Sequence, residues 1–91
     1  MKMLKYGLNV GMNVIHVPGG LSADTTVQHQ AGQVEPLQLW TLVDDTQRTV
    51  PAEIYVAVTG EDLDPSKNYC NLGTCQLQGG GSVLHALFIQ E

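Results

Sequence analysis

Basic residues are scarce in this sequence: Lys2, Lys5, Arg48 and Lys67 stand against nine acidic residues in 91, for a formal net charge of −5. A sequence-independent grip on a nucleic-acid backbone needs clustered lysine and arginine. These four are scattered, so a nucleic-acid polymer is not an expected partner. The acids form no long run beyond Asp44-Asp45 and Glu61-Asp62 with Asp64, which argues against mimicry of a polyanion. Long apolar runs are lacking too. Nothing approaches the roughly 20 residues that cross a bilayer, and the opening MKMLKYGLNVG is interrupted at Gly7 and Asn9 before a signal-peptide core forms. Neither a membrane partner nor a cleaved export signal is expected. Cysteine is limited to Cys70 and Cys75. On one extended strand their odd separation puts them on opposite faces, where they cannot bridge, so both are expected to be reduced. The C-x4-C spacing with dispersed His16, His29 and His85 lacks the close pairing of a zinc site. No metal and no cofactor are expected.

Helical patterning is missing as well. Leu4, Leu8 and Met12 are four apart, but Gly7 and Gly11 interrupt them. Alternating and continuous apolar runs dominate instead. They predict strands over about Met3–Asn9, Asn13–Val17, Thr25–Gln30, Leu37–Val43, Ala52–Thr59, Tyr69–Gln78 and Ser82–Gln90. Between them lies turn chemistry: Pro18-Gly19-Gly20, Ala31-Gly32, Asp44-Asp45-Thr46, Gly60, Asp64-Pro65-Ser66 and Gly79-Gly80-Gly81. About seven short strands with polar turns predict an all-β fold, a small antiparallel sandwich or barrel with little or no helix. No repeat, linker or low-complexity segment divides the chain, so residues 1–91 read as a single domain. Leu37, Leu39, Thr41 and Val43 fall on one strand face, with Trp40 and Leu42 on the other. Ile54, Val56 and Val58 oppose Tyr55, Ala57 and Thr59. The last strand is apolar on both faces, as expected for a central strand or one covered by a second subunit.

An enzyme needs a nucleophile with a positioned base, paired carboxylates or a metal cage. His85 with Ser82 and Asp62 or Asp64 is the triad one can assemble, but Ser82 lacks the strained Gly-x-Ser-x-Gly setting. His85 reads more simply as a half-buried strand histidine satisfied by a neighbour, and no catalytic residue is assigned. The Gly79-Gly80-Gly81 triplet lacks the Gly-Lys-Ser/Thr ending of a phosphate loop. It reads first as a hairpin turn and second as a wall of exposed amides able to hold an anion, with Thr59-Gly60-Glu61 as a candidate neighbour. Trp40 or a tyrosine such as Tyr69 offers a stacking surface, and Arg48 or Lys67 a cation for phosphate. The candidate ligand-binding residues are Trp40, Arg48, Thr59, Gly60, Glu61, Tyr69, Gly79, Gly80, Gly81 and His85.

Five segments, in order along nearly the whole chain, carry a resemblance: Lys5-Tyr6-x-Leu8, LQLWTLVD (Leu37 to Asp44), VTGE (Val58 to Glu61), LGTCQL (Leu72 to Leu77) and GGGSVLHALF (Gly79 to Phe88). The chain resembles a family of short proteins encoded by tailed phages and prophages. Their pattern runs Lys-Tyr-Pro-Leu, a Pro/Gly turn, Val-Gln-x-Gln, Leu-Trp-Ala-Leu-Val-Asp, Gly-Thr-Gly-His, Tyr-Ile-Gly-Thr and Gly-Gly-x-x-Val-x-His-x-Phe. Gly7 here replaces the family's proline, Glu61 its histidine, and Asn71 stands where its tyrosine precedes Ile-Gly-Thr. The resemblance implies a phage origin and a small all-β unit. It brings no catalytic activity with it. With no membrane span or export signal expected, the expected location is the cytoplasm of the infected bacterial host.

A tiny acidic phage protein without a catalytic constellation is expected to act by stoichiometric binding, as a homo-oligomer with pockets between subunits. The first expectation is that it counters host immunity by sequestering a nucleotide-derived signal without cleaving it. The alternatives are a protein-binding inhibitor of a host defence complex or other host enzyme, and a minor virion component.

Overall fold

The computed structural model describes residues 1–77 and 81–90. Seven strands form: β1 Lys2–Leu8, β2 Gly11–Pro18, β3 Thr25–Gln28, β4 Leu37–Val43, β5 Thr49–Val58, β6 Asn68–Gln76 and β7 Val83–Gln90. They pair antiparallel in a three-stranded sheet of order β1-β4-β3 and a four-stranded sheet of order β2-β5-β7-β6. This is the expected small all-β sandwich, and no helix occurs among the described residues. The expected strand end at Gln78 and the turn residues Gly79 and Gly80 lie outside the described residues. On their flank a Leu77 amide to Ser82 carbonyl bond of 3.0 Å closes the β6–β7 hairpin.

The core lies between the sheets because both present their apolar alternation inward. Leu37, Leu39, Thr41 and Val43 of β4 are all buried, facing Ala52, Ile54 and Val56 of β5 and Leu84 and Ala86 of β7. Val58 ends its stripe at the sheet margin and is 38% exposed. The buried Thr41 hydroxyl is satisfied by the Ser22 and Thr25 hydroxyls at 3.2 and 2.9 Å. Where the chain crosses from β1 to β2, the Asn13 side chain accepts from the Asn9 amide at 2.9 Å and donates to the Asn9 carbonyl at 2.8 Å. The Tyr6 hydroxyl donates to the His16 carbonyl at 2.8 Å, tying an edge of the larger sheet to the smaller one. Burial raises the Tyr6 pKa.

Two local readings change. β5 begins at Thr49 rather than Ala52, taking Pro51 into a strand. β7 pairs only with Ile54–Val58, so at Pro51 one flank of β5 has no ladder partner and its missing N–H is tolerated. The cysteines are free, as expected, but not for the expected reason. A bulge between Asn71 and Gly73 shifts the register, so that Cys70 opposes Phe88 and Cys75 opposes Leu84, both on the core-facing side of β7. One inserted residue inverts the alternation. The two cysteines share a face, several residues apart.

Candidate functional site

The bulge and the pairing of β5, β7 and β6 together build a polar row on the outer face of the four-stranded sheet. Register sets His85 between Ala57 on β5 and Thr74 on β6. The imidazole Nε2 lies 2.7 Å from the Thr59 hydroxyl and Nδ1 lies 3.0 Å from the Thr74 hydroxyl. A hydroxyl both donates and accepts, so the two threonines hold the ring whichever nitrogen carries the proton. Thr59–His85–Thr74 has the contacts of a nucleophile, base and orienting group. Its third member, however, is neutral and lends no charge to an imidazolium.

Beside the row, the chain turns back over the sheet. The Glu61 amide donates to the Val58 carbonyl at 3.1 Å, closing a turn whose third residue, Gly60, has φ 87°. A side chain there is strained, so glycine suits the position. The turn folds the Glu61 carboxylate onto the sheet, where Oε1 accepts from the Val58 amide at 3.2 Å and Oε2 accepts from the Tyr55 hydroxyl. The bond to Glu61 raises the Tyr55 pKa, with desolvation and the charges of Glu61 and Tyr69 adding to it. Each carboxylate oxygen spends one contact and keeps accepting capacity for a ligand.

Thr59, Gly60, Glu61 and His85 border an open cleft of about 230 Å³, with Ala57, Leu63 and Leu87 as its apolar surface; Thr74 and Tyr55 stand behind them, bonded to His85 and Glu61. Ala57, Leu87 and Ile89 are 3%, 9% and 9% exposed, although they lie on the face turned away from the core cluster. Toward the start of β5 the same face carries a broader cleft of about 470 Å³, lined by Val14, Pro51, Glu53 and Ile89 among others. Met12 and Val14 beside it are 49% and 54% exposed. None of the four strands of this sheet contributes a lysine or arginine.

Of the ten candidate residues, Thr59, Gly60, Glu61 and His85 therefore meet in one cleft. Tyr69 is on the same face, opposite Ile89. Trp40 is on the other sheet, opposite Lys5 and Thr26. Arg48 precedes β5 at the end where Thr49 pairs with Pro18, a strand length of about 30 Å from Thr59 at the usual rise per residue. A side chain at Gly81 would project into open space, and Gly79 and Gly80 lie outside the described residues. Tyr55 and Thr74 join the site without having been named. Tyr55 was legible from its place opposite the Ile54–Val56 stripe. Thr74 was not, because the bulge moves it onto the outer face. Among the described residues no group of three His, Cys, Asp or Glu side chains is placed to hold a metal ion, and no helix is long and apolar enough to cross a membrane.

Fold and site define a small antiparallel β-sandwich with an open cleft on the outer face of its larger sheet. The chain belongs to the DUF7352 family, a domain of unknown function, whose family model matches residues 1–90. No curated protein and no solved structure gives a significant match.

Proposed function

We propose that this protein is a phage accessory factor that counters host immunity in the bacterial cytoplasm by holding a nucleotide-derived signal without cleaving it. The observation that carries this reading is the convergence of the Glu61 carboxylate, the His85 ring and the Thr59 hydroxyl around an apolar surface. At about 230 Å³ the cleft falls below the roughly 300–1,000 Å³ that encloses a whole drug-sized ligand. It suits one planar ring. A carboxylate with spare lone pairs accepts from adjacent N–H donors, so the ligand edge it fits is that of a donor-rich base such as guanine, with Leu63 and Leu87 at its flanks. A second copy laid over the same face would enclose the ring and give the homo-oligomer a pocket between subunits.

The test is to incubate the purified protein with cyclic di- and trinucleotides and ADP-ribose-type signals, filter, heat the protein and analyse what is released. Depletion of one signal class with intact recovery is expected. No depletion of any signal sinks the reading, and recovery of a cleaved product would make the Thr59–His85 pair a nucleophile and base.

A second reading rests on a separate observation. The exposed Met12 and Val14, the cleft of about 470 Å³ and the carboxylates Glu53 and Glu61 share one face, a surface suited to a basic, apolar segment of a host defence protein. A stoichiometric protein partner retained from host lysate, lost on Met12→Asp, supports it over the first.

A further inference from the structure

The opposite side of the molecule has different chemistry. On the outer face of the three-stranded sheet, Trp40 occupies the middle of the central strand, with Lys5 directly opposite on β1 and Thr26 directly opposite on β3. Directly opposed side chains have Cβ atoms about 4.5–5.5 Å apart, so the three form one continuous patch. Trp40 is half-buried, while Lys5 and Thr26 are exposed. The Lys5 ammonium donates to the neutral Gln33 amide oxygen at 3.2 Å. Among the described residues it meets no carboxylate within 4 Å, in contrast to Lys2, which pairs with Asp45 at 2.9 Å.

The patch also has a built wall. The Gln38 side chain, only 1% exposed, accepts from the Gln30 amide at 3.0 Å and donates to the Glu35 carbonyl at 2.8 Å. His29 Nδ1 lies 2.7 Å from the Pro36 carbonyl oxygen. These bonds fold the segment from 29 to 36 back over the sheet, bringing Gln33 to Lys5. A Cβ at Gly7 would come within 2.4 Å of Glu35 Cδ. The missing side chain at position 7 is what lets the Glu35 carboxylate lie over β1, two residues along from Lys5.

We infer that this face is a second binding site, separate from the Glu61–His85 cleft, for a planar ring that carries an anionic group: a nucleoside monophosphate in chemical class. The Trp40 ring stacks the base, Lys5 holds the phosphate, and Glu35 stands where a carboxylate accepts from sugar hydroxyls. Charge complementarity selects this occupant. Lys5 supplies the cation that the strands of the other sheet lack, and an aromatic lies at its side.

The sequence contains a single tryptophan, so intrinsic tryptophan fluorescence reports on this face. Titration with guanosine monophosphate is expected to change Trp40 emission saturably. Guanosine should bind about three- to tenfold more weakly, the loss of one charge-assisted contact, and inorganic phosphate should leave the emission unchanged. Lys5→Gln, a change at an exposed side chain, should bring the nucleotide down to the affinity of the nucleoside. The proposal is overturned if the monophosphate gives no saturable change, or if Lys5→Gln binds it as the wild type does. It is also overturned if the response survives Lys5→Gln and disappears in Glu61→Gln, which would place the ligand in the cleft. The inference does not rest on the proposed function, since the heat-release assay can fail while this titration succeeds.

Discussion

The two outer faces of this sandwich divide its chemistry between them. The face of the four-stranded sheet has carboxylates, tyrosines and a doubly bonded histidine around apolar clefts, and its strands carry no lysine or arginine. The face of the three-stranded sheet has the sole tryptophan with a lysine opposite it. A single inner core supports both, so the difference comes from the outward half of each strand's alternation and from the turns that fold over each face, residues 59–61 on one and residues 29–36 on the other. In a sandwich this small, most inward positions are committed to packing, and most of the chemical variety is left to the outward ones. Two unlike surfaces can thus sit back to back on a molecule only 19 Å across its shortest dimension.

Removing what the faces share should have the largest effect. Leu39 is fully buried, and Leu39→Ala is expected to cost about 2–5 kcal/mol. In denaturant, Trp40 fluorescence and the β-sheet circular dichroism signal should be lost in one coincident transition. Two separate transitions would mean that the faces do not rest on one core.

The next effect should fall on one face alone. Gln38→Ala strips the partners from the Gln30 amide and the Glu35 carbonyl, at about 1–3 kcal/mol for two part-buried hydrogen bonds lost. Faster hydrogen exchange at Gln30 and a red-shifted Trp40 emission are expected, while the His85 ring resonances stay in place. Glu61→Gln should act on the other face. It should weaken binding of the proposed nucleotide-derived signal about tenfold or more, equivalent to about 1.4 kcal/mol. It should also lower the Tyr55 pKa toward its ordinary value, because the bond to Glu61 is the first cause of its rise. The sign follows from which form the fold favours. A folded-state pKa above the unfolded one means that the protonated phenol is favoured. The Tyr55–Glu61 contribution is therefore fully present below the ordinary tyrosine pKa of about 10 and lost as pH rises through the raised value. Ring-carbon NMR of Tyr55 across that range checks both the direction and its reversal in Glu61→Gln. The smallest effect is expected from Thr74→Val, which leaves His85 bonded to Thr59 alone. It should cost about 0.5–1.5 kcal/mol and increase ring motion at His85 without changing Trp40 emission.

Much of this division was legible in the sequence, and the misses share causes. Strand alternation set Leu37, Leu39, Thr41 and Val43 on one face of β4 and Trp40 on the other, and the structure keeps that division because no bulge interrupts β4; which face turns inward came only with the packing of the two sheets. Alternation failed on β6, where the bulge at Leu72 moved Thr74 to the outer face and set both cysteines on the inner one. A bulge is a pairing event between strands, and sequence spacing within one strand does not encode it. The grouping of Thr59, Gly60, Glu61 and His85 came partly from local turn chemistry at Gly60. The rest came from the pairing of Ala57 with His85, which joins residues far apart in the chain. Trp40 and Arg48 were grouped with these by chemical type alone. Type does not determine position, and the strand order distributes them to another sheet and another end.

The central claim is that the Glu61–His85 cleft holds an intact nucleotide-derived signal. It is tested most directly by heat release from wild-type protein and Glu61→Gln after incubation with the same panel of cyclic nucleotides and ADP-ribose-type signals. The account predicts that the wild type depletes one class and returns it chemically unchanged, while Glu61→Gln leaves that class in the filtrate. Equal retention by both proteins, or no retention by either, would contradict it.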